Sequence, residues 1–241
     1  MSLQTQPTEQ SSYHGNPNLK QVGYTHAWTK EQIAEYVKCS EDPIYFIEKY
    51  CKIVTLDFGL QPFKLYDCQK RKVDFIMNNR RCILMEGRQQ GKTVTAAACI
   101  VHYSIFQDSK TVAIMANKST AAREVLSRYQ IMYENLPLWM QQGVRTWNKG
   151  DVELENGSRV FTAATTSSGI RGKSVNWLYI DEAAIIPNNV ADDFFTSVYP
   201  TISAGVTTKI LLTSTPLGYN HFWKFWNDAE KGVNGFKNMF I

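Results

Sequence analysis

Three short stretches carry the residue types that phosphate chemistry requires. The first, 86-EGRQQGKT-93, closes with Gly91, Lys92 and Thr93: bare backbone to wrap phosphates, a lysine for their charge and a hydroxyl for a metal. Placed at the start of a helix, its amides would meet an anion with unpaired N–H groups and a favourable helix dipole. In the GxxxxGK[ST] pattern the leading glycine falls at position 86, yet that residue is Glu86 and Gly87 lies one place later. A GKT tripeptide alone is also an ordinary turn before a helix. The second stretch, 175-VNWLYIDEAA-184, sets two carboxylates at the end of an apolar run. There Asp181 can hold magnesium through a water, and Glu182 can orient and deprotonate an attacking water. An Asp-Glu pair at a strand end also serves simply as a cap for the next segment. In the third, 209-KILLTSTPLG-218, Thr213, Ser214 and Thr215 offer hydroxyls that can hydrogen-bond the water or phosphate beside Glu182. Loop and carboxylate pair within one α/β pattern predict hydrolysis of ATP as substrate, with Mg2+ as cofactor.

These residues need strands to present them. From Leu65 onward, amphipathic helical signals alternate with short apolar runs, the pattern of βαβ units and a mostly parallel sheet. The runs 82-CILM-85, 112-VAIM-115, 177-WLYI-180 and 209-KILLT-213 read as buried strands covered on both faces. The first leads into the loop, and 94-VTAAACIVHYSIF-106 supplies the helix behind it. Between the second and third, 151-DVELENGSRVF-161 alternates around Asn156-Gly157, a hairpin signal and a candidate antiparallel addition to the sheet. The predicted class is α/β, a mostly parallel sheet flanked by helices.

Residues 1–28, rich in Gln, Ser, Pro and Asn, predict a loose arm. Thr29, with Glu31 and the apolar rhythm Ile33, Tyr36, Val37, predicts a capped helix, and 43-PIYFIEKYCKIV-54 predicts another. The expected organisation is an arm over 1–28, a helical segment over 29–60 and a nucleotide-binding core over 61–241. Near the end, 219-YNHFWKFWNDAEKG-232 reads as a helix stopped by Gly232.

Bulk properties narrow the class without deciding it. With 44% apolar and 20% charged residues among 241, the chain reads as an ordinary globular protein, and its net charge of +4 is compatible with a nucleic-acid partner without requiring one. Cys39, Cys51, Cys68, Cys82 and Cys99 form no CxxC pair, which favours free thiols over a disulfide or zinc framework. His14, His26, His102 and His221 lack ligand spacing and read as structural or exposed. No apolar run approaches the roughly 18 residues of a membrane span.

Taken together, 86-EGRQQGKT-93, 147-WNKGDVELENGS-158, 171-RG-172, 178-LYIDEA-183 and 213-TSTPLGYNHF-222 resemble the ATPase domain of the large terminase of tailed bacteriophages, most closely the version of contractile-tailed myoviruses. That family's motor packages double-stranded DNA into the procapsid, and its phosphate loop lacks the first glycine. The resemblance, from about Thr29 to the C-terminus, implies a RecA-like P-loop NTPase core of the ASCE type with an added β-hairpin. It implies that Gly87, Arg88, Gln89, Gln90, Gly91, Lys92 and Thr93 bind nucleotide, with Arg88 acting in cis on the γ-phosphate. Thr93 and Asp181 match the metal positions, Glu182 the catalytic base, and Thr213, Ser214 and Thr215 the coupling motif, which is usually richer in threonine. Within 62-PFKLYDCQK-70, Gln69 matches an adenine-recognising glutamine, while Lys64 stands where a second glutamine is usual. A surface glutamine at a helix start is the other reading of Gln69. Arg171 matches an arginine proposed to reach a neighbouring subunit's ATP; contact with DNA phosphates and a plain loop arginine are competing readings.

The implied partners are double-stranded DNA, a portal protein, a small terminase subunit and further copies in a ring, expected to be a pentamer, with no membrane; the implied location is the cytoplasm of the infected bacterial host. Large terminases also carry a C-terminal nuclease domain, for which the residues after Pro216 leave no room, so this chain is expected to be a fragment that does not cut DNA. A helicase-type translocase and an ATP-binding module without turnover are the rival functions. The first lacks space for a second RecA-like half, and the second sits poorly with both Glu182 and Arg88.

Overall fold

The computed structural model describes residues 12–164, 170, 173–197 and 205–241. Ser12–Tyr13 (β1) and Asn16–Lys20 (β2) pair antiparallel; helices α1 (Lys30–Glu41) and α2 (Pro43–Tyr50) follow, then a hairpin of β3 (Lys52–Thr55) with β4 (Gly59–Pro62). The core begins with α3 (Asp67–Asn78), β5 (Arg81–Met85), α4 (Lys92–Phe106), β6 (Thr111–Ala116) and α5 (Ser119–Glu134). It continues through β7 (Val144–Trp147), β8 (Asp151–Leu154), β9 (Arg159–Ala164), β10 (Trp177–Asp181), α6 (Asn188–Ser197), β11 (Lys209–Ser214), α7 (His221–Glu230) and β12 (Lys237–Phe240).

Eight strands form one sheet in the order β12-β5-β11-β10-β6-β9-β8-β7. Pairing is parallel from β12 across to β9 and antiparallel for β8 and β7. Alternate residues of the central strands feed opposite cores: Trp177 and Tyr179 pack on the face covered by α1 to α5, while Leu178 and Ile180 pack on the face of α6 and α7 with Phe194 and Phe222. Burial on both faces is why these strands read as continuous apolar runs rather than as alternating ones. The parallel direction also brings the C-terminal ends of β5, β10 and β11 to one edge, the usual place for a ligand crevice in such sheets.

The hairpin turn at Asn156-Gly157 forms as expected, with Gly157 at φ 79. Asn156 then docks the turn on the end of α4, its amide donating to the Ser104 and Gln107 carbonyls at 2.9 and 3.2 Å. Strand β7, which the sequence reading does not anticipate, extends this antiparallel flap. Its four residues are too few for a periodic signal, and Asn148 turns the chain back by donating its N–H to the Asp151 carbonyl at 3.0 Å.

Two expectations about the N-terminal region need correction. The loose arm does not reach residue 28: β1 and β2 are folded because Leu19 is buried and buried Gln141 satisfies the backbone on both sides, accepting from Lys20 N at 3.1 Å and donating to Asn18 O at 2.9 Å. Residues 1–11 of the arm lie outside the described residues. The helix expected over 43–54 stops at Tyr50, because the β-branched run Ile53-Val54-Thr55 enters the β3–β4 hairpin, whose Gly59 takes the left-handed φ of 64. Helix α1 begins at the predicted Thr29 cap, but the reciprocal partner is Gln32 rather than Glu31. Helix α7 starts on an Asn220 cap and ends before Gly232 at φ 70.

Candidate nucleotide site

The loop leaves β5, crosses residues 86–91 and enters α4 through Gly91 at φ 76. A side chain at Gly91 would be strained by that backbone angle and would collide with the Gln69 amide nitrogen from α3. Gly87, Arg88, Gln89 and Gln90 are exposed, and Gln89 holds a left-handed φ of 61. The loop therefore offers backbone to solvent directly at a helix N-terminus, the arrangement an anionic ligand needs.

Glu86 does not face this opening. It is fully buried and ion-paired with the equally buried Lys72 of α3 at 2.6 Å, and Lys72 also donates to the Gln90 carbonyl at 2.7 Å. Burial pushes the Glu86 carboxyl up, against the opposing pull of Lys72, and its second oxygen, Oε1, has no hydrogen-bond partner among the described residues.

The strand ends supply the remaining groups. Thr93 Oγ1 donates to Asp181 Oδ2 at 3.0 Å, so the two expected metal-binding positions meet directly. A hydroxyl and a carboxylate are hard oxygen donors of the kind Mg2+ takes with phosphates and water, so the pair fits that ion. Asp181 Oδ1 accepts from Thr213 Oγ1 at 2.9 Å and from Glu182 N at 3.1 Å. Lys92 Nζ pairs with Glu182 Oε1 at 2.8 Å. The expected phosphate-binding lysine and the expected catalytic base thus neutralise each other.

Glu182 sits at φ 51, a backbone region that non-glycine residues adopt only when surroundings enforce it. The enforcement comes from the end of β11 and the segment after it. Ser214 Oγ accepts from Ala184 N at 3.1 Å and donates to Glu182 Oε2 at 3.3 Å, and Thr215 N points at the same oxygen at 3.5 Å. Asn220 donates to Ala184 O and His221 Nε2 to Ala183 O, each at 2.8 Å. Because a carbonyl only accepts, His221 must carry hydrogen on Nε2; burial lowers its pKa, with the Ala183 bond opposing.

Of the residues singled out from sequence, Lys92, Thr93, Asp181, Glu182, Thr213, Ser214 and Thr215 are brought together. Gln69 lies beneath the loop rather than on an open surface: it is buried, and its Oε1 accepts from Tyr66 N at 3.0 Å. Arg88 extends from the exposed loop and makes no hydrogen bond or ion pair among the described residues. Arg171 lies outside them. Sequence reasoning misses Lys72, Asn220 and His221 as contributors. His221 reads from sequence as one more structural histidine, and only its place in the 213–222 motif hints otherwise.

A phosphate loop before a helix, separated from the carboxylate strand by a hydroxyl-bearing strand, defines a P-loop NTPase core of the RecA-like type. The chain belongs to the family described as "Terminase large subunit, T4likevirus-type, N-terminal", whose profile it matches over residues 83–234. Its fold is similar to that of the bacteriophage HK97 large terminase (TM-score 0.70, 19% identity, covering 83% of this chain and 43% of that one). It is also similar to the Thermus phage P74-26 large terminase ATPase domain (TM-score 0.60, 19% identity, 74% and 81% covered). A third neighbour is the large terminase of a thermophilic bacteriophage in complex with ATP-gamma-S (TM-score 0.56, 11% identity, 74% and 45% covered). The chain thus spans less than half of the first and third of these proteins.

Proposed function

We propose that this chain hydrolyses ATP and that the hydrolysis drives double-stranded viral DNA into a procapsid. The observation that carries the reading is the meeting of four groups at one sheet edge: Thr93 with Asp181 at 3.0 Å and Lys92 with Glu182 at 2.8 Å. Family membership supports it, as do the structures of the thermophilic bacteriophage's large terminase in complex with ADP and with ATP-gamma-S.

The Gly87–Gly91 backbone and Lys92 take the phosphates. Incoming phosphate charge draws Lys92 away from Glu182, which frees the carboxylate at the moment nucleotide arrives. Glu182 then orients a water for attack on the γ-phosphorus and accepts its proton as the bond to the β–γ bridging oxygen breaks, releasing ADP and phosphate. Arg88 compensates the charge on the equatorial γ-oxygens. Thr93 and Asp181 would hold Mg2+, which supplies further charge neutralisation when bound. Gln69 reaches adenine only by exchanging its bond to Tyr66 N for one to the base edge. Thr213 and Ser214, bonded to Asp181 and Glu182 respectively, carry the state of the site into β11 and α7.

DNA held through its phosphates, a portal protein, a small terminase subunit and a ring of copies, taken as a pentamer, are the partners of this reading, in the cytoplasm of the infected host. Arg171 serves either a neighbouring subunit's ATP or DNA phosphate. Among the described residues no helix is long and apolar enough to cross a membrane. The test is Mg2+-dependent phosphate release by the purified chain beside Lys92→Ala, with and without double-stranded DNA. Turnover abolished by the substitution and stimulated by DNA supports the motor; ATP turnover equal in both proteins sinks it.

A further inference from the structure

The leading glycine that this loop lacks raises the question of what fixes the loop instead. Helix α3 answers it with one face. Gln69, Lys72, Val73 and Ile76, at the i, i+3, i+4, i+7 spacing of a single helical stripe, are all buried. Val73 and Ile76 anchor the helix in the core, while the two polar members touch the loop. Gln69 lies against Gly91 at the loop's exit. Lys72 reaches both ends of it, Glu86 at the entry at 2.6 Å and the Gln90 carbonyl before the exit at 2.7 Å.

A lysine with no solvent exposure is costly unless its charge is matched and its hydrogens are used. Here one hydrogen bond satisfies the charge, and another holds a carbonyl that the turn would otherwise leave without a donor. Turning the Gln90 carbonyl down toward Lys72 directs the peptide unit's opposite side, the N–H of Gly91, away from α3. We propose that Lys72, neutralised by Glu86, is a positioning residue of the phosphate loop: bridging its two ends, the ammonium fixes the backbone that receives the nucleotide. Glu86 is then not a damaged glycine position but the counter-charge that permits a lysine beneath the loop. The inference rests on the reading of the loop as an ATP site.

The experiment measures ATP affinity, KM, kcat and thermal midpoint for wild type, Lys92→Ala, Lys72→Met and the pair Lys72→Met with Glu86→Leu. Lys72→Met alone strands a buried carboxyl and should lower the thermal midpoint sharply. Replacing both partners with apolar side chains of similar volume should restore the midpoint. A charged hydrogen bond of this kind is worth about a tenfold or greater effect, so the double variant should show KM and Kd for ATP raised at least about tenfold, with kcat changed less than about threefold. A role confined to packing predicts a restored midpoint together with wild-type KM and Kd, and that result overturns the proposal. If the apolar pair does not fold, Lys72→Met with Glu86→Gln, which keeps the glutamate's shape without its charge, is judged by the same split. Failure of the underlying reading has a different signature: Lys92→Ala then binds ATP as wild type does, and the loop is no phosphate site to position.

Discussion

The two halves of the site are built on opposite terms. Asp181, Glu182, Thr213 and Ser214 end parallel strands and are tied to one another by side-chain hydrogen bonds, in part buried, with Asp181 accepting from three donors. The loop from Gly87 to Gln90 is exposed above a buried ion pair, and its most chemically capable side chain, Arg88, engages nothing among the described residues. The strand-end side chains are held by one another in the folded chain, whereas the loop is held from below by Lys72 and its outer side chains have contacts left to make, which on the proposed reading the nucleotide supplies. Preset groups cost no reorganisation during reaction. An exposed cation with no polar partner among the described residues can instead, on the proposed reading, distinguish a site with a γ-phosphate from one without it.

The division predicts how strongly each half affects turnover. Arg88→Ala should lower kcat by on the order of 10³–10⁵, the range for arginines acting on a transferred phosphoryl group, while leaving the thermal midpoint unchanged because no hydrogen bond or ion pair among the described residues is lost. Paired steady-state kinetics and thermal melts check this; a small kinetic loss, or a shifted midpoint, would break the distinction between the halves. Glu182→Gln should cost about 10²–10⁴ in kcat as a lost general base. It also releases Lys92 from its ion pair, so ATP affinity measured by equilibrium binding should stay at the wild-type level or tighten. Weakened binding by Glu182→Gln would mean that the Lys92–Glu182 contact does not compete with nucleotide.

Legibility in the sequence follows the same division. Four core strands, the helix behind the loop and the Asn156-Gly157 turn are readable because each rests on local chemistry: continuous burial, an amphipathic run or a required left-handed glycine. The strand-end residues are readable for a related reason, since a strand delivers its last side chains to a predictable edge. Lys72 is not readable. A lysine three residues after Gln69 looks like a solvated helix residue until the position of Glu86 across the fold is known. The same holds for the β1–β2 hairpin, where polar composition suggests a loose arm and the decisive contact comes from Gln141, far along the chain.

A smaller effect is expected where the preset half is itself supported. Asn220 and His221 hold the carbonyls of Ala184 and Ala183 and thereby the left-handed turn at Glu182. Asn220→Ala also removes the cap of α7 and should lower the midpoint, so His221→Phe is the cleaner probe. We expect loss of the ring's contacts with Ala183 O at 2.8 Å and Asn188 Oδ1 at 3.2 Å to reduce kcat by about tenfold, with KM for ATP unchanged because the loop is untouched. An effect on KM rather than kcat would show that the turn supports binding instead of the position of the base.

The smallest expected effect on catalysis, and the one that separates stability from the site, concerns His102 on α4. Its Nε2 bonds the Cys39 carbonyl at 2.9 Å, its Nδ1 has no hydrogen-bond partner among the described residues, and the ring packs against Phe46 and Phe106. Burial lowers its pKa from 6.5 to about 4, with the backbone bonds opposing. The folded chain therefore favours the neutral ring. Above pH 6.5 both folded and unfolded states hold it neutral and the stability is complete; between 6.5 and about 4 only the unfolded state takes up the proton, and stability falls by on the order of 3 kcal/mol. Denaturant melts across that window should show a slope that His102→Phe flattens, at the cost of about 1 kcal/mol at neutral pH for the lost hydrogen bond. Turnover per folded molecule at pH 7.5 should be unchanged. An unaltered acid slope in the variant would assign the acid sensitivity to other groups, and a fall in turnover would mean that α4 transmits strain to Lys92 and Thr93 at its start.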